Sequence, residues 1–252
     1  NLNLEKVLKK KVIAICHLAA QAGVRYSITN PNIYLKYNID GFLSILEYCR
    51  KNKGTHLVYA SSSSVYGANK KVPFSVLDDV SNPVSLYART KIDSENILLS
   101  MVDSKFSPTI LRFSTLFGLS ERMRFDLVVN ILCAKAFFEK EITIFGGQQF
   151  RPLLSTIDAS RAIIKCLESN LKHVHGEIFN VGNTALNYRI LEIGEVINRR
   201  LPDSKMIITS SDEDTRDYNV SFDKIQKKLN FYTEISLEEG IDQIVEQFES
   251  GK

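Results

Sequence analysis

The chain has 252 residues and is short of the features that mark several protein classes. Its 32 basic and 29 acidic residues leave a formal net charge of +3, which is too small to indicate a nucleic-acid partner or an anionic membrane. No apolar run approaches about 18 residues, so no membrane-spanning helix is predicted. We therefore expect an ordinary globular protein.

The chain has few residues of the types that bind metals or form disulfides, with four cysteines and four histidines. The four cysteines are scattered and form no Cys-x-x-Cys pair: Cys16, Cys49, Cys133 and Cys166. Such residues are typical of reduced core positions, which favours a cytoplasmic protein. His173 and His175 have no acidic or thiol neighbours, whereas zinc needs three or four converging ligands, so no metal site is expected.

Short apolar runs alternate with helical patterns through the first half of the chain. The runs 12–16, 57–60 and 109–113 are typical of buried strands, and the periodic segment 32–51 is typical of a helix. Asn82 and Pro83 suit the cap and first turn of another helix. Strands that alternate with helices predict an α/β fold with a doubly wound parallel sheet. Later patterns predict strands at 141–147 and 176–182 and helices at 125–139, 158–167, 191–201 and 237–248.

Tyr87 and Lys91 lie four residues apart in the helix that follows Pro83, so their side chains share one helix face. An ammonium beside a phenol favours phenolate, and we expect Lys91 to lower the pKa of Tyr87 from its reference near ~10. Such a tyrosine can exchange a proton with a sugar hydroxyl near neutral pH. The alternative is an ordinary half-buried aromatic, since Tyr-x-x-x-Lys also occurs by chance.

A serine run at 61–64 follows the predicted strand 57–60. Ligands of open α/β sheets bind at the carboxyl ends of strands, and this run stands at such an end. By itself the run could be a solvated loop. Followed by the Tyr-x-x-x-Lys motif, it favours an active site.

On these residues the chain resembles the extended short-chain dehydrogenase/reductase family, and within it the NAD-dependent nucleotide-sugar epimerases and dehydratases. Segments 17–27 and 59–69 are most similar to UDP-glucuronate 4-epimerases, whereas 122–130 and 216–225 resemble a neighbouring group of sugar-nucleotide epimerases. The resemblance implies a Rossmann-type NAD-binding part at 1–117 and a mainly substrate-binding α/β region at 118–252. Residues 158–182 are expected to return to the Rossmann sheet.

The resemblance also implies roles for individual residues. Ser62, Tyr87 and Lys91 would be catalytic, with Lys91 on the nicotinamide ribose. Ala19 and Ala20 would line the NAD cofactor and Asn38 would support it, together with Tyr87 and Lys91. The substrate-binding residues would be Ser63, Ser64, Thr115, Asn130, Arg151 and Arg216. The two arginines suit a diphosphate, although either could instead be a surface charge, and Thr115 replaces an asparagine that many relatives carry.

The glycine-rich turn that opens the fold of this family is missing from the sequence. Family members begin with a strand, a Gly-x-x-Gly-x-x-Gly turn and a helix whose N-terminus binds the cofactor pyrophosphate. The first glycine here is Gly23, after the first predicted strand. We expect the N-terminal βαβα half of the Rossmann domain to be lacking, either because the sequence is a fragment or because the domain is naturally truncated.

The implied function is that of an NAD-dependent nucleotide-sugar 4-epimerase, an isomerase that serves polysaccharide biosynthesis through a transient 4-keto sugar. A 4,6-dehydratase of this family would need an Asp-Glu pair where the chain has Ser63 and Ser64. A ketoreductase shares the same motif. The remaining alternative is a non-catalytic binding protein without the cofactor phosphate loop, and this truncated chain could be inactive.

The resemblance further implies a homodimer, because relatives pair through two helices. These helices correspond here to 32–51 and 83–102. The apolar side chains available for such an interface, unless they pack inward, are Ile45, Tyr48, Ile97 and Met101.

Overall fold

The computed structural model describes Leu4 and residues 12–69, 72–210 and 217–251. The described strands are β1 (Ala14–His17), β2 (His56–Ser62), β3 (Ser107–Phe113), β4 (Thr115–Phe117), β5 (Glu141–Phe145), β6 (Phe150–Ser155), β7 (Glu177–Val181), β8 (Asn187–Arg189) and β9 (Lys205–Thr209). The described α-helices are α1 (Val24–Thr29), α2 (Pro31–Tyr34), α3 (Gly41–Lys51), α4 (Leu86–Ser100), α5 (Val128–Ala134), α6 (Thr156–Glu168), α7 (Leu171–Val174), α8 (Ile190–Arg200), α9 (Asp223–Leu229) and α10 (Leu237–Glu249). The Lys-rich segment 4–10 is also predicted from the sequence to be helical, and apart from Leu4 it lies outside the described residues.

Four parallel strands form the main sheet in the order β1-β2-β3-β7. Their carboxyl ends meet at one edge, where Ser62 of β2 is in register with Phe113 of β3, and Phe113 with Val181 of β7. β3 is buried along almost its whole length, which explains its continuous apolar run. The serine run therefore lies at the edge where open α/β sheets bind their ligands.

Helices cover both faces of the main sheet, so the predicted doubly wound α/β fold is confirmed. On one face, Phe42 of α3 and Leu98 of α4 pack with Tyr59 of β2. On the other face, Ala162 of α6 and Ile225 of α9 pack with Val58, the residue before Tyr59 in β2. Side chains that alternate along β2 thus enter two separate cores.

A second region contains two small sheets, β4-β6-β8 and β5-β9. α5, α8 and α10 enclose its own core, in which Leu132, Ile193 and Ile241 are buried together. The predicted strand 141–147 and the predicted helices 158–167, 191–201 and 237–248 are confirmed within two residues at each end. The helix predicted at 125–139 begins only at Val128 and continues through a π-helical segment, Lys135–Glu139. No helix among residues 12–69, 72–210 and 217–251 combines the length and apolarity that crossing a membrane requires.

The predicted start of the catalytic helix at Asn82 and Pro83 is wrong. α4 begins at Leu86, and Ser85 is its cap, because the Ser85 hydroxyl accepts a hydrogen bond of 3.1 Å from the Ala88 amide. Asn82 serves a different contact: its carbonyl accepts from the Ala68 amide at 3.3 Å. Ser85, which lies directly before the first turn, therefore caps the helix in place of Asn82. The helix predicted at 32–51 is likewise interrupted, by a π-helical segment at Leu35–Asp40.

Gly67 turns the chain between the serine run and the segment that leads into α4. Its φ is +56°, and a Cβ placed there would lie 2.0 Å from the Asn82 carbonyl oxygen. Gly54 has a similar backbone (φ +87°) but open space around it. We expect Gly54→Ala to lower the free energy of unfolding by about 1–2 kcal/mol, the cost of the φ alone. Gly67→Ala should cost clearly more, since backbone must also move, and chemical denaturation of both variants checks this. Equal losses would contradict it.

The four residues offered for a dimer interface pack inward. Tyr48 is buried, and Ile45, Ile97 and Met101 are half-buried against the core between α3, α4 and the sheet. The apolar side chains exposed on these two helices are Leu43 and Leu99 instead. Of the two alternatives for these side chains, the structure therefore favours inward packing.

Candidate active site

The serine run forms the carboxyl end of β2 and one turn of 3₁₀-helix, Ser63–Tyr66. The Ser62 hydroxyl accepts a hydrogen bond of 3.2 Å from the Ser64 amide and so caps this turn. The hydroxyls of Ser62 and Ser64 also lie 3.0 Å apart. The turn therefore fixes where the Ser62 hydroxyl points.

Tyr87 lies in the first turn of α4 and is half-buried. The Ser62 side chain is a polar neighbour of its phenol and lowers the pKa of that phenol, so the helix meets the end of β2 here. The edge of the Tyr34 ring packs against it, with ring centroids 6.2 Å apart. The structure thus brings together the hydroxyl and the phenol that the sequence placed in one site.

The pKa of Tyr87 is raised, so the predicted lowering by Lys91 is wrong. Burial raises it, while the hydrogen bond with Ser62 and the positive charge of Arg124 oppose that rise. The Arg124 guanidinium also pairs with Asp126 at 2.6 Å. Arg124 is therefore the cation that favours phenolate here, because the ammonium of Lys91 is directed elsewhere.

Lys91 lies one turn after Tyr87 and is only 4% exposed. Its Nζ donates a hydrogen bond of 2.6 Å to the Ala60 carbonyl and sits 4.7 Å from the centre of the Tyr59 ring. Burial lowers the pKa of Lys91 to about 8, against an upward effect of Glu95. The side chain is thus a buried cation at neutral pH, and a small change of its surroundings can discharge it.

His17 stands at the carboxyl end of β1, beside Lys91. Its ring packs against Tyr59 and Phe42, with centroids 5.8 Å and 6.3 Å away. Burial and the charge of Lys91 lower the pKa of His17 to about 4. The imidazole is therefore neutral near pH 7, and Lys91 holds the positive charge in this corner of the site.

Asn38 fixes the loop that follows β1. Its side chain accepts from the Gln21 amide at 2.7 Å and donates to the Gln21 carbonyl at 3.0 Å. It also donates to the Thr90 hydroxyl on α4 at 3.1 Å. Ala19 and Ala20 lie in this loop, where their small side chains leave backbone groups accessible. Backbone donors beside an ammonium and a phenol suit a ligand rich in hydroxyl and phosphate oxygens, as a dinucleotide is.

A buried ion pair lies behind the site. Arg112 of β3 binds Glu95 of α4 through two nitrogens, Nη2 at 2.7 Å and Nε at 3.1 Å, and both side chains are at most 3% exposed. The Ser61 hydroxyl donates to the same carboxylate. Arg112 also donates to the Tyr66 hydroxyl at 3.1 Å, which in turn donates to Asn180 at 2.6 Å. The network connects β2, α4, β3 and β7.

The residues predicted for the substrate lie partly in the second region. Ser63 is buried beside the site, and Thr115 is half-buried on β4. Asn130 on α5 accepts from the Gly118 amide at 3.1 Å. Arg151 is 7% exposed and packs over the Tyr218 ring, 5.6 Å from its centre. Arg216 lies outside the described residues, and the roles of all these residues stay predictions.

Sequence reasoning missed Arg124, Glu95 and Arg112. Arg124 belongs to the segment 122–130 that carried part of the family resemblance. That resemblance was a usable signal, but it did not indicate that Arg124 acts on Tyr87. Glu95 continues the Tyr87–Lys91 spacing by four more residues, and that repeat was another available signal. Among the residues that the structure describes, no group of three or more His, Cys, Asp or Glu side chains is placed to hold a metal.

Comparisons with known proteins agree with this geometry. Residues 1–182 match the model of a family described as NAD dependent epimerase/dehydratase. An uncharacterised protein of Methanocaldococcus jannaschii is 33% identical over 255 residues, which cover 99% of this chain and 76% of that protein. UDP-glucuronate 4-epimerase 1 of Arabidopsis thaliana is 37% identical over 209 residues, 73% of this chain and 48% of that protein. A crystal structure of UDP-glucuronic acid 4-epimerase from Bacillus cereus, in complex with UDP-glucuronic acid and NAD, has a TM-score of 0.85 and 26% identity, covering 100% of this chain and 80% of that one.

Proposed function

Because the chain belongs to the NAD-dependent epimerase/dehydratase family, we propose that it is a nucleotide-sugar 4-epimerase, with UDP-glucuronate as the first substrate to test. The observation that carries the proposal is that Ser62 and Tyr87 meet at the carboxyl end of β2, where the Ser62 side chain lowers the pKa of the phenol. A hydroxyl and a phenol that share one oxygen-binding point are what proton transfer at a sugar hydroxyl requires.

In the proposed reaction Tyr87 takes the proton of the C4 hydroxyl and later returns it to the same oxygen. Ser62 would hydrogen-bond that oxygen when the proton leaves and again when it returns. Between the two transfers the 4-keto sugar turns over, so that it presents its other face while its diphosphate stays bound. Bound NAD would supply hydride acceptance and return at C4, the second time on the other face of the sugar. Lys91, with Ala19 and Ala20, would hold the cofactor, Asn38 supports the loop around it, and Arg151 and Arg216 would hold the diphosphate.

Epimerisation is favoured over 4,6-dehydration by the residues after Ser62. Dehydration needs an added acid and base near C5 and C6. Ser63 is buried here, and the hydroxyl of Ser64 lies 3.0 Å from that of Ser62. Neither side chain titrates in a useful range, so the elimination has no proton donor or acceptor at these positions.

Incubation of the protein with UDP-glucuronate and NAD tests the proposal. Proton NMR should show UDP-galacturonate accumulating without a net change in NADH absorbance, because an epimerase regenerates its cofactor. Net consumption of NADH with a 4-keto sugar would identify a ketoreductase, and an unsaturated or 6-deoxy product a dehydratase. A folded protein that binds no NAD would support a binding function and overturn the assignment.

Three further parts of the proposal concern organisation. Residues 1–117 would bind the cofactor and 118–252 mainly the substrate, with 158–182 in the cofactor-binding sheet. The protein would act as a cytoplasmic homodimer through α3 and α4, where Leu43 and Leu99 are exposed. Light scattering on the purified protein checks the dimer, and a monomer at micromolar concentration would contradict it.

The charge of Arg124 should set the pH dependence of the reaction. Arg124 lowers the pKa of Tyr87, so Arg124→Gln raises that pKa and leaves less phenolate at any given pH. We expect kcat/KM at neutral pH to fall and the acidic limb of its pH profile to move to higher pH. Asp126→Asn is the control, because it removes the partner of Arg124 but keeps the guanidinium. Identical profiles for Arg124→Gln and the unchanged protein would contradict this electrostatic role.

A further inference from the structure

Three successive residues at the end of β2 are each tied to α4. The Ala60 carbonyl accepts from the Lys91 ammonium at 2.6 Å, the Ser61 hydroxyl donates to Glu95, and the Ser62 side chain acts on the Tyr87 phenol and lowers its pKa. The helix partners are four residues apart, so they form one line on the face of α4 that meets the sheet. Lys91, Ser62 and Tyr87 belong to the proposed chemistry, whereas Ser61 and Glu95 do not.

Among the three partners on α4, Glu95 contacts two strands, β2 and β3. It is 2% exposed, and its carboxylate receives Ser61 from β2 and two guanidinium nitrogens of Arg112 from β3. A carboxylate with three charge-assisted or short contacts from two neighbouring strands has little freedom to move. The position of α4 relative to the end of β2 is therefore fixed at Glu95.

We propose that Glu95 is a positioning residue of the proposed 4-epimerase reaction, because it fixes α4 against the end of β2 and supplies the counter-charge for Lys91. The inference rests on the proposed function for its kinetic part only. Without the contacts of Glu95, α4 is held less firmly against β2, and Tyr87 is no longer kept at a fixed distance from Ser62. Misplacement of reacting groups by an ångström is enough to lower a rate strongly.

The charged and titratable groups around Lys91 come from four elements. His17 faces it from the end of β1 and Tyr59 from β2, while Tyr87 and Glu95 lie one turn away on α4. Arg112 of β3 adds a positive charge behind Glu95. His17 is neutral above about pH 5, since its pKa is lowered to about 4 by burial and by Lys91. Glu95 is thus the group that supports the positive charge of Lys91 around neutral pH.

Ser61→Ala tests the clamp, that is, the role of Glu95 in fixing α4 against the end of β2. The substitution removes the hydroxyl that binds Glu95, but leaves the ion pair with Arg112 and all three residues of the proposed chemistry. We expect kcat to fall about tenfold, while KM for the nucleotide sugar stays within about twofold and the pH profile keeps its shape. Unchanged kcat in Ser61→Ala would overturn the clamp.

Glu95→Gln tests the counter-charge. The charge of Glu95 raises the pKa of Lys91, so its loss lowers that pKa, and the ammonium is discharged at lower pH. NMR of protein with ¹³C-labelled lysine, with the Lys91 signal assigned through Lys91→Arg, should show the titration midpoint moving to lower pH. The alkaline limb of kcat should move in the same direction. A midpoint equal to that of the unchanged protein would overturn this part.

Glu177→Gln is the matched control. Glu177 is also an acid paired with cations, Lys224 and Lys228, but it lies at the amino end of β7, opposite the site. Its loss should leave the Lys91 titration unchanged. Thermal unfolding shows whether Glu95→Gln folds, and if it does not, Ser61→Ala decides. If the unchanged protein epimerises no sugar nucleotide, the proposed function fails, whereas the Lys91 titration still decides the role of Glu95.

Discussion

Tyr87→Phe should lower kcat for epimerisation by about 10³-fold, within the range that general acid–base catalysis contributes. The substitution removes one hydroxyl, the group that exchanges the proton with the C4 oxygen, and leaves the ring packed against Tyr34. Because Lys91, Ala19, Ala20 and Asn38 would still hold the cofactor, the affinity for NAD should change little. Product formation by NMR and NAD binding by calorimetry measure the two effects separately.

Tyr48→Phe is the matched control for Tyr87→Phe. Tyr48 is a buried tyrosine on α3 and lies in none of the contacts described for the site. It should retain normal turnover, which shows that loss of a phenol hydroxyl elsewhere has no such effect. Normal kcat in Tyr87→Phe would end the assignment of Tyr87 as acid and base, and with it the proposed reaction.

Arg112→Met should lower the free energy of unfolding by about 3–5 kcal/mol, the loss typical when one partner of a buried ion pair is removed. Glu95 would remain at 2% exposure without its guanidinium, and Tyr66 would lose the donor that now lies 3.1 Å away. Water cannot replace these contacts without opening the core. Denaturant unfolding followed by circular dichroism measures the change.

Two comparisons make the Arg112 result specific. Arg124→Met breaks a pair whose side chains are 36% and 61% exposed, and it should cost at most about 1 kcal/mol. The double variant Arg112→Met with Glu95→Leu removes both charges and should recover most of the loss. A loss in Arg112→Met no larger than in Arg124→Met would show that the ion pair contributes little.

Much of the main sheet was predictable because its pattern is local. Continuous apolar runs predicted β2 and β3, and their alternation with helical periods predicted a parallel sheet covered on both faces. The short strands β4 and β8 have three residues each, too few for a period to be recognised. The start of α4 was predicted incorrectly because Asn82, Pro83 and Ser85 all suit a helix start, and only the position of Gly67 shows why Asn82 has another contact.

The residues of the site were easier to predict than their electrostatics. Ser62 and Tyr87 follow motifs of fixed spacing, and the structure brings them together closely enough for Ser62 to lower the pKa of the phenol. The effect of Lys91 on Tyr87 depends on where a long side chain ends, and its four-residue spacing does not specify that. The ammonium reaches the Ala60 carbonyl, and Arg124, 37 residues along the chain from Tyr87, supplies the charge instead.

The sequence by itself determined the α/β class, the alternation of strands and helices in the main sheet, and the helix face shared by Tyr87 and Lys91. These follow from backbone periods, which act between residues close in the chain. Only the tertiary structure decided which charges act on the phenol and how Glu95 joins two strands to the catalytic helix. Such effects depend on distance and burial, because a charge interaction is weak in water and strong where water is excluded.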